Sequence, residues 1–401
     1  MNNQQTPSID NTASAGFIPL SIPEIRGNEW EYIKECLDTN WVSSVGSFVD
    51  RFEDLTAEYV GTKHAVATIN GTAALHTALM VAGVAPDDEV IVSTLTFIAP
   101  VNAIRYVGAW PVFMDAEPRY WQMDPAKLET FLERQCRWQN GSLINKNSGR
   151  KIKAILPVDI LGHPCEMGPI LELANRYGLV VVEDATESLG AGYKGQMVGR
   201  SGDISCFSFN GNKLITTGGG GMIVTDNPEW ADRARYLTTQ AKDDAIEYIH
   251  NEIGYNYRLT NIQAAMGVAQ LEQLPQFIAK KREIAHNYNL AVSTWEEITP
   301  MPTQPDTDPT YWLYTILLDD KTTVDQRKAV ITGLNAKGIG SRPLWHPIHG
   351  LPPYAGCQAY MMEHADRLYA RAVSLPSSVG LTVAEQQRCI DVMQRILRDK
   401  E

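Results

Sequence analysis

The sequence predicts an α/β fold: a large domain on a mostly parallel sheet, followed by a smaller α+β C-terminal domain. Three observations predict it. Over the first two-thirds of the chain, short apolar runs alternate with helix-like stretches, the pattern of repeated βα units. GLVVVEDA (178–185) has four apolar residues in a row between Gly178 and an acidic pair, as strands buried on both faces do. From about Thr260 a long helical pattern starts, and a Pro-rich joint (299–309) separates it from a short mixed tail.

Taken in order, residues 1–16 are polar and read as a disordered lead-in, 17–260 as the large domain, and 261–401 as the long helix with the small domain. Strands are expected at HAVATI (64–69), EVIVS (89–93), WPVFMD (110–115), KIKAILPV (151–158) and 178–185, with helices at 72–83 and 166–178. Residues 134–150 show no periodicity and read as a surface insertion. Pro275 is expected to kink or interrupt the long helix, since proline lacks the N–H and clashes with the preceding turn. A strand at 311–318 and helices near 324–337 and 383–398 complete the tail.

Composition narrows the function. In 401 residues, 35 Lys plus Arg face 47 Asp plus Glu, a formal charge of −12. That disfavours nucleic acid and anionic membrane as partners, because both are held by clustered basic residues. No window reaches the apolar length of a membrane span. The polar N-terminus has no apolar signal core, so a cytoplasmic enzyme is expected. Six scattered cysteines form no CxxC pair, and His346 and His349 lack the helical spacing of a zinc motif, so no metal is expected.

The chemistry gathers in FSFNGNKLITTGGGGMIVTD (207–226), where Lys213 stands between Ser208 and four glycines. A phosphate-binding Walker loop needs its glycines before the lysine, and a dinucleotide fingerprint needs a helix after them; here a strand-like MIVTD follows. The remaining reading is a Schiff-base lysine, whose amine forms an imine with a carbonyl cofactor. Pyridoxal phosphate also needs an acid for its pyridinium, phosphate donors and a stacking face. Asp184 ends the most apolar strand; Gly71, Thr72 and Ala73 open a helix whose N–H groups suit a phosphate; Ser208 adds a hydroxyl; Phe97 follows a strand end and can stack. Each also has a plain structural reading, as cap, core or surface residue.

The ordered series GTAAL, TF, EDATES, SFNGNK, TTGGGG and GYNYRLTNIQAA resembles the DegT/StrS family of sugar aminotransferases across about residues 17–400. The resemblance implies an aspartate-aminotransferase-like fold (fold type I), pyridoxal phosphate as cofactor, and a homodimer with shared active sites. It implies that Lys213 holds the cofactor and shuttles the proton, that Asp184 pairs with the pyridine nitrogen, and that Thr72, Ala73 and Ser208 hold the phosphate. Phe97 would stack on the ring, and Glu187 would stand near the phenolic oxygen where many members carry Gln. Asn256, or Arg258 beside it, would reach the neighbouring subunit's phosphate. Trp41, Arg258, His346 and His349 are expected on the sugar side. The GGGG run, Glu187 and the SRPLWHPIHGLPPY loop resemble the subgroup that aminates C4 of 4-keto-6-deoxy sugars. The expected reaction moves the amine of L-glutamate to a nucleotide sugar, with UDP-2-acetamido-2,6-dideoxy-4-keto-glucose preferred. GDP-perosamine synthesis and a non-catalytic nucleotide-sugar sensor are the alternatives. A dehydratase of the same family would carry His where Lys213 stands.

Overall fold

The computed structural model describes residues 16–244 and 246–398, so all but Gly16 of the expected lead-in lies outside the described residues. Seven strands carry the large sheet: β1 (His64–Thr68), β2 (Glu89–Ser93), β3 (Trp110–Met114), β4 (Ile152–Leu156), β5 (Val180–Asp184), β6 (Ile204–Ser208) and β7 (Gly221–Thr225). They lie in the order β1-β7-β6-β5-β4-β2-β3, and the short strand Ala359–Tyr360 adds to the β3 edge. Neighbours from β6 to β3 are parallel, whereas β7 runs antiparallel to both β1 and β6. The β6–β7 connection, which carries Lys213, contains no helix to cross the sheet, so the chain turns straight back. Strands β1, β5 and β6 therefore end at one edge, where parallel α/β sheets place their ligands.

Alternation along β5 separates its two terminal acids onto opposite faces. Glu183 is held by the N–H groups of Gly199 and Gly202 and by the Ser205 hydroxyl. Asp184 turns to the other side, beside residues 185–188.

Residues 134–150 depart from the expected aperiodic insertion. They form a hairpin, Cys136–Gln139 with Ser142–Asn145. Asn140 and Gly141 both have positive φ (51° and 72°), the two-residue turn that Asn-Gly favours. Asn145 anchors it by donating to Glu89 at 2.7 Å. The expected strand 311–318 is shortened to Tyr314–Leu318, which frees Trp312 to face the site.

The long helix runs unbroken over Asn261–Val292, through Pro275. A Thr260/Gln263 capping box starts it. Leu274 and Phe277 are fully buried on either side of the proline. Their burial, about 1.5–3 kcal/mol each, offsets the ~3 kcal/mol that an interior proline costs. The helix packs its first half on helices Glu29–Asp38 and Ser47–Val60. Its second half enters the core of the small antiparallel sheet Ile298–Pro300, Tyr314–Leu318 and Ala372–Leu375 through Ile284, Tyr288 and Val292. Ile18 joins that core and pairs with Ile339, so the described chain start sits with the C-terminal elements.

Lys281, on the same helix, is 2 % exposed. Its ammonium donates to the carbonyls of Trp312 (2.7 Å) and Ser377 and to the Ser377 hydroxyl (3.2 Å). Burial pushes its pKa down to about 7. The unfolded chain keeps this proton up to about pH 10.5, so unfolding takes up a proton between those values and stability rises with pH. Lys281→Met should cost about 1–3 kcal/mol, because two buried carbonyls lose their donor. It should also remove the slope: the wild-type advantage in urea midpoint widens from pH 7 to pH 10. An equal advantage at both pH values would show that the folded amine stays charged.

Candidate active site

The helix Gly71–Val81 begins where β1 ends, and Asn70 caps it by accepting the Ala73 N–H at 2.8 Å. Ala73, expected at the phosphate, thus has its N–H engaged by the cap. The start of this helix lies against the end of β6: a Cβ on Gly71 would sit 2.8 Å from the Ser208 Cβ. Only glycine allows that approach without displacing one or the other. The glycine run serves a related purpose, since a Cβ on Gly221 would sit 2.5 Å from the Asn70 carbonyl.

A cavity of about 310 Å³ opens at this edge. Gly71, Thr72, Phe97, Glu187, Ser208 and Lys213 line it, six residues singled out from the sequence. Phe97 is 53 % exposed, an aromatic face open to a ligand. A wider hollow is lined by exposed charged residues, Arg200 with Asp203, Asp226 and Glu229, and by none of the residues singled out from the sequence.

Asp184 is 2 % exposed and accepts the Thr186 N–H at 3.1 Å. Burial raises its pKa; the Lys213 charge pulls the other way. It has no ion-pair partner within 4.0 Å among the described residues. A buried carboxylate of this kind favours a cation brought by a ligand. Glu187 is also buried; its Oε2 accepts the Leu161 N–H at 2.8 Å and its Oε1 lies 3.5 Å from the Lys213 Nζ. Burial raises its pKa too, with Lys213 opposing.

Trp312 was missed in the sequence because a strand was expected to carry it. Its ring lies 4.2 Å from the Lys213 Nζ, and its indole N–H donates to the Asn212 carbonyl at 2.7 Å. Trp345 stacks on it at 6.3 Å between centroids. Arg342 and Trp345 also line the cavity; both belong to the SRPLW loop, the one signal that could have found them.

Seven expected contacts do not line this cavity within one chain: Ala73 and Asp184, described above, and five others. Trp41 is exposed, and its carbonyl accepts from Asn261 at 2.8 Å. Arg258 is drawn into an ion pair with buried Glu53, which also pairs with Arg235 at 2.7 Å. That pair fixes the 255–259 loop to β1, since Arg258 also donates to the Ala67 carbonyl. Asn256 is exposed between the stacked Tyr255 and Tyr257. His346 is exposed beside Tyr369, and His349 bonds Thr94 at 2.8 Å. No helix among the described residues is long and apolar enough to cross a membrane, and no cluster there is suited to a metal.

The DegT/DnrJ/EryC1/StrS aminotransferase family matches residues 23–394. The chain belongs to that family. It is 42% identical to the GDP-perosamine synthase of Caulobacter vibrioides, covering 95% of this chain and 98% of the relative. It is 41% identical to that of Escherichia coli O157:H7, covering 91% and 94%. Among solved structures, the pyridoxal-phosphate form of the putative sugar aminotransferase Spr1654 from Streptococcus pneumoniae superposes with a TM-score of 0.85 at 25% identity, covering 96% and 99%. The protein is thus a sugar aminotransferase of nucleotide-sugar biosynthesis, with pyridoxal phosphate as its cofactor. The sensor alternative gives way to an enzyme, as does the dehydratase, whose histidine is absent. The residues present fit the cofactor: a buried carboxylate without a cation, a glycine-bared helix start beside Ser208, an open aromatic face and one lysine.

Two outcomes test this geometry. Gly71→Ala should weaken pyridoxal phosphate binding about 10–100-fold, measured by equilibrium dialysis, because its Cβ pushes the helix start off Ser208. Glu187→Gln tests the buried acid. Above about pH 4.5 the unfolded chain releases this proton while the buried carboxyl keeps it, so wild-type stability falls as pH rises. The glutamine variant lacks that slope, and its urea midpoint should gain on wild type from pH 4.5 toward neutrality.

Proposed function

We propose that the enzyme transfers the amino group of L-glutamate to C4 of GDP-4-keto-6-deoxy-mannose, giving GDP-perosamine for a surface glycan. The observation that carries the nucleotide and sugar is the pair of relatives named GDP-perosamine synthase, each above 40% identity over nearly the full length of both chains. This reverses the order in which the sequence ranked the acceptors. The UDP-linked 2-acetamido sugar is now the second reading, resting only on overall resemblance to the C4-aminating subgroup.

Pyridoxal phosphate, when bound, supplies an electron sink for the carbon that loses its proton. The chain's residues do the rest. Thr72 and Ser208 hold the phosphate at the helix start, where the dipole favours an anion. Asp184 holds a positive charge on the ring nitrogen, the cation its buried carboxylate lacks. Phe97 covers the ring face. Lys213 moves the proton in both half-reactions as general acid and base. Trp312 and Trp345 wall one side of the cavity against water, which strengthens the charges inside. In a homodimer, Asn256, which is exposed and does not line the cavity of its own chain, reaches the phosphate held by the neighbouring copy. Trp41, His346 and His349 keep their expected sugar-side role only at a site completed by that copy, whereas the Arg258 guanidinium is taken up by Glu53 and the Ala67 carbonyl.

The test is a pair of half-reactions. Glutamate converts the bound cofactor to its amine form, and each keto sugar is then added separately while the aldehyde-form absorbance is followed. Recovery with GDP-4-keto-6-deoxy-mannose is expected. Recovery with the UDP sugar alone would overturn the nucleotide assignment, and recovery with neither would remove the C4 reading. Lys213→Ala should slow both halves at least ~100-fold.

A further inference from the structure

We propose that His349 is a positioning residue: through Thr94 it fixes the bend that carries Phe97. The assignment rests on the reading above in which Phe97 covers the cofactor ring. Phe97 sits in an irregular bend, residues 94–98, between β2 and the helix Ala99–Tyr106. Its own ring does not hold it there, because it is 53 % exposed. An open aromatic face serves a ligand best when its backbone is fixed before the ligand arrives. Part of that anchorage is local, since Leu95 is buried in the large core. The rest comes from the SRPLWHPIHGLPPY loop.

That loop grips the segment at two points with Phe97 between them. At Thr94 there are three contacts. The Ile348 N–H donates to the Thr94 carbonyl at 3.0 Å, the His349 N–H donates to Thr94 Oγ1 at 3.3 Å, and Thr94 Oγ1 lies 2.8 Å from His349 Nδ1. At Asn102 the side-chain carbonyl accepts the Tyr354 hydroxyl. The imidazole is itself held on its far side. Its Nε2 faces Asp366 Oδ2 at 3.6 Å. Asp366 belongs to the helix Ala365–Arg371, whose Ala365 N–H donates to Asp115, just past β3, at 2.9 Å. A carboxylate opposite Nε2 favours the proton there, which leaves Nδ1 to accept from the Thr94 hydroxyl. Thr94 Oγ1 then accepts once and donates once, both to the same residue.

Neither Thr94 nor His349 lines the cavity, so their effect on a ligand there passes through the bend. Thr94 is fully buried, and a hydroxyl that loses its acceptor has no water to turn to. It regains a partner only by moving, and Phe97 is three residues away. A shift of about 1 Å in a positioning group is enough to cost binding and rate. The same loop puts Arg342 and Trp345 on the cavity wall. One imidazole thus keeps the stacking face and that wall in register. The role is held within one chain and needs no second copy.

The experiment is a double-mutant cycle on the holoenzyme. It reads the dissociation constant of pyridoxal phosphate by equilibrium dialysis, and the visible circular dichroism of the bound cofactor. Phe97→Leu should weaken binding about tenfold, the loss of one aromatic stack. His349→Ala should cost about the same and lower the dichroism per bound cofactor. His349→Asn, whose amide oxygen stands in for Nδ1, should return both readings to within about threefold of wild type. In the Phe97→Leu background, His349→Ala should change binding less than about twofold, because the group it positions is gone. A full tenfold loss in that background would show that His349 acts independently of Phe97 and overturn the proposal. So would wild-type binding and dichroism in His349→Ala. Weaker half-saturation by GDP-4-keto-6-deoxy-mannose with cofactor binding unchanged would move His349 to the sugar and overturn it equally. If Phe97→Leu alone binds the cofactor as wild type does, the stacking reading fails first, and the proposal with it. Thr94→Val, which removes the hydroxyl and keeps the shape, carries the same cycle if His349→Ala does not fold.

Discussion

The site depends on keeping two carboxylates buried beside one lysine. Asp184 and Glu187 both lie at the end of β5 and both have their acid constants raised by burial. Each carboxyl accepts one backbone N–H, from Thr186 and from Leu161 respectively. Neither contact fully replaces water, so either carboxyl, once ionised, needs a positive charge beside it. Lys213 meets that need at Glu187. Asp184 is left for a cation that a ligand brings.

Trp312 ties this pocket to the rest of the molecule. Its indole N–H holds the backbone one residue before Lys213, its ring faces the lysine, and its carbonyl is held by buried Lys281. Lys281 also grips Ser377, just past the small sheet's last strand. The long helix therefore braces the joint between the two cores, and Lys213 senses the placement of the C-terminal elements. Arg342 is bonded to Ser374 of that same strand, so the small sheet and the lysine loop share one scaffold.

Family membership and pocket chemistry answer different questions. The family and its cofactor rest on a match over residues 23–394. The cavity adds which atoms face one another. The acceptor nucleotide is decided by neither; it is argued from the names of similar enzymes and answered by the half-reactions.

Much was legible in the residues alone. Strand EVIVS and helix 383–398 have the expected bounds, because apolar periodicity is a local property. Six cavity residues were likewise readable, since they sit in motifs at strand ends. Asn140-Gly141 carried a hairpin signal that the lack of periodicity around it obscured. Other features were decided only in three dimensions. Pro275 stays within its helix because distant residues bury Leu274 and Phe277. Arg258 turns to Glu53, about two hundred positions earlier in the chain, because a buried acid needs its charge. Trp312 and Arg342 reach Lys213 only because the small sheet folds back onto the large one. Sequence determined the elements and the chemical types at their ends, since those depend on neighbours in the chain. Tertiary structure decided which charges are left unpaired, since that depends on every group packed around them.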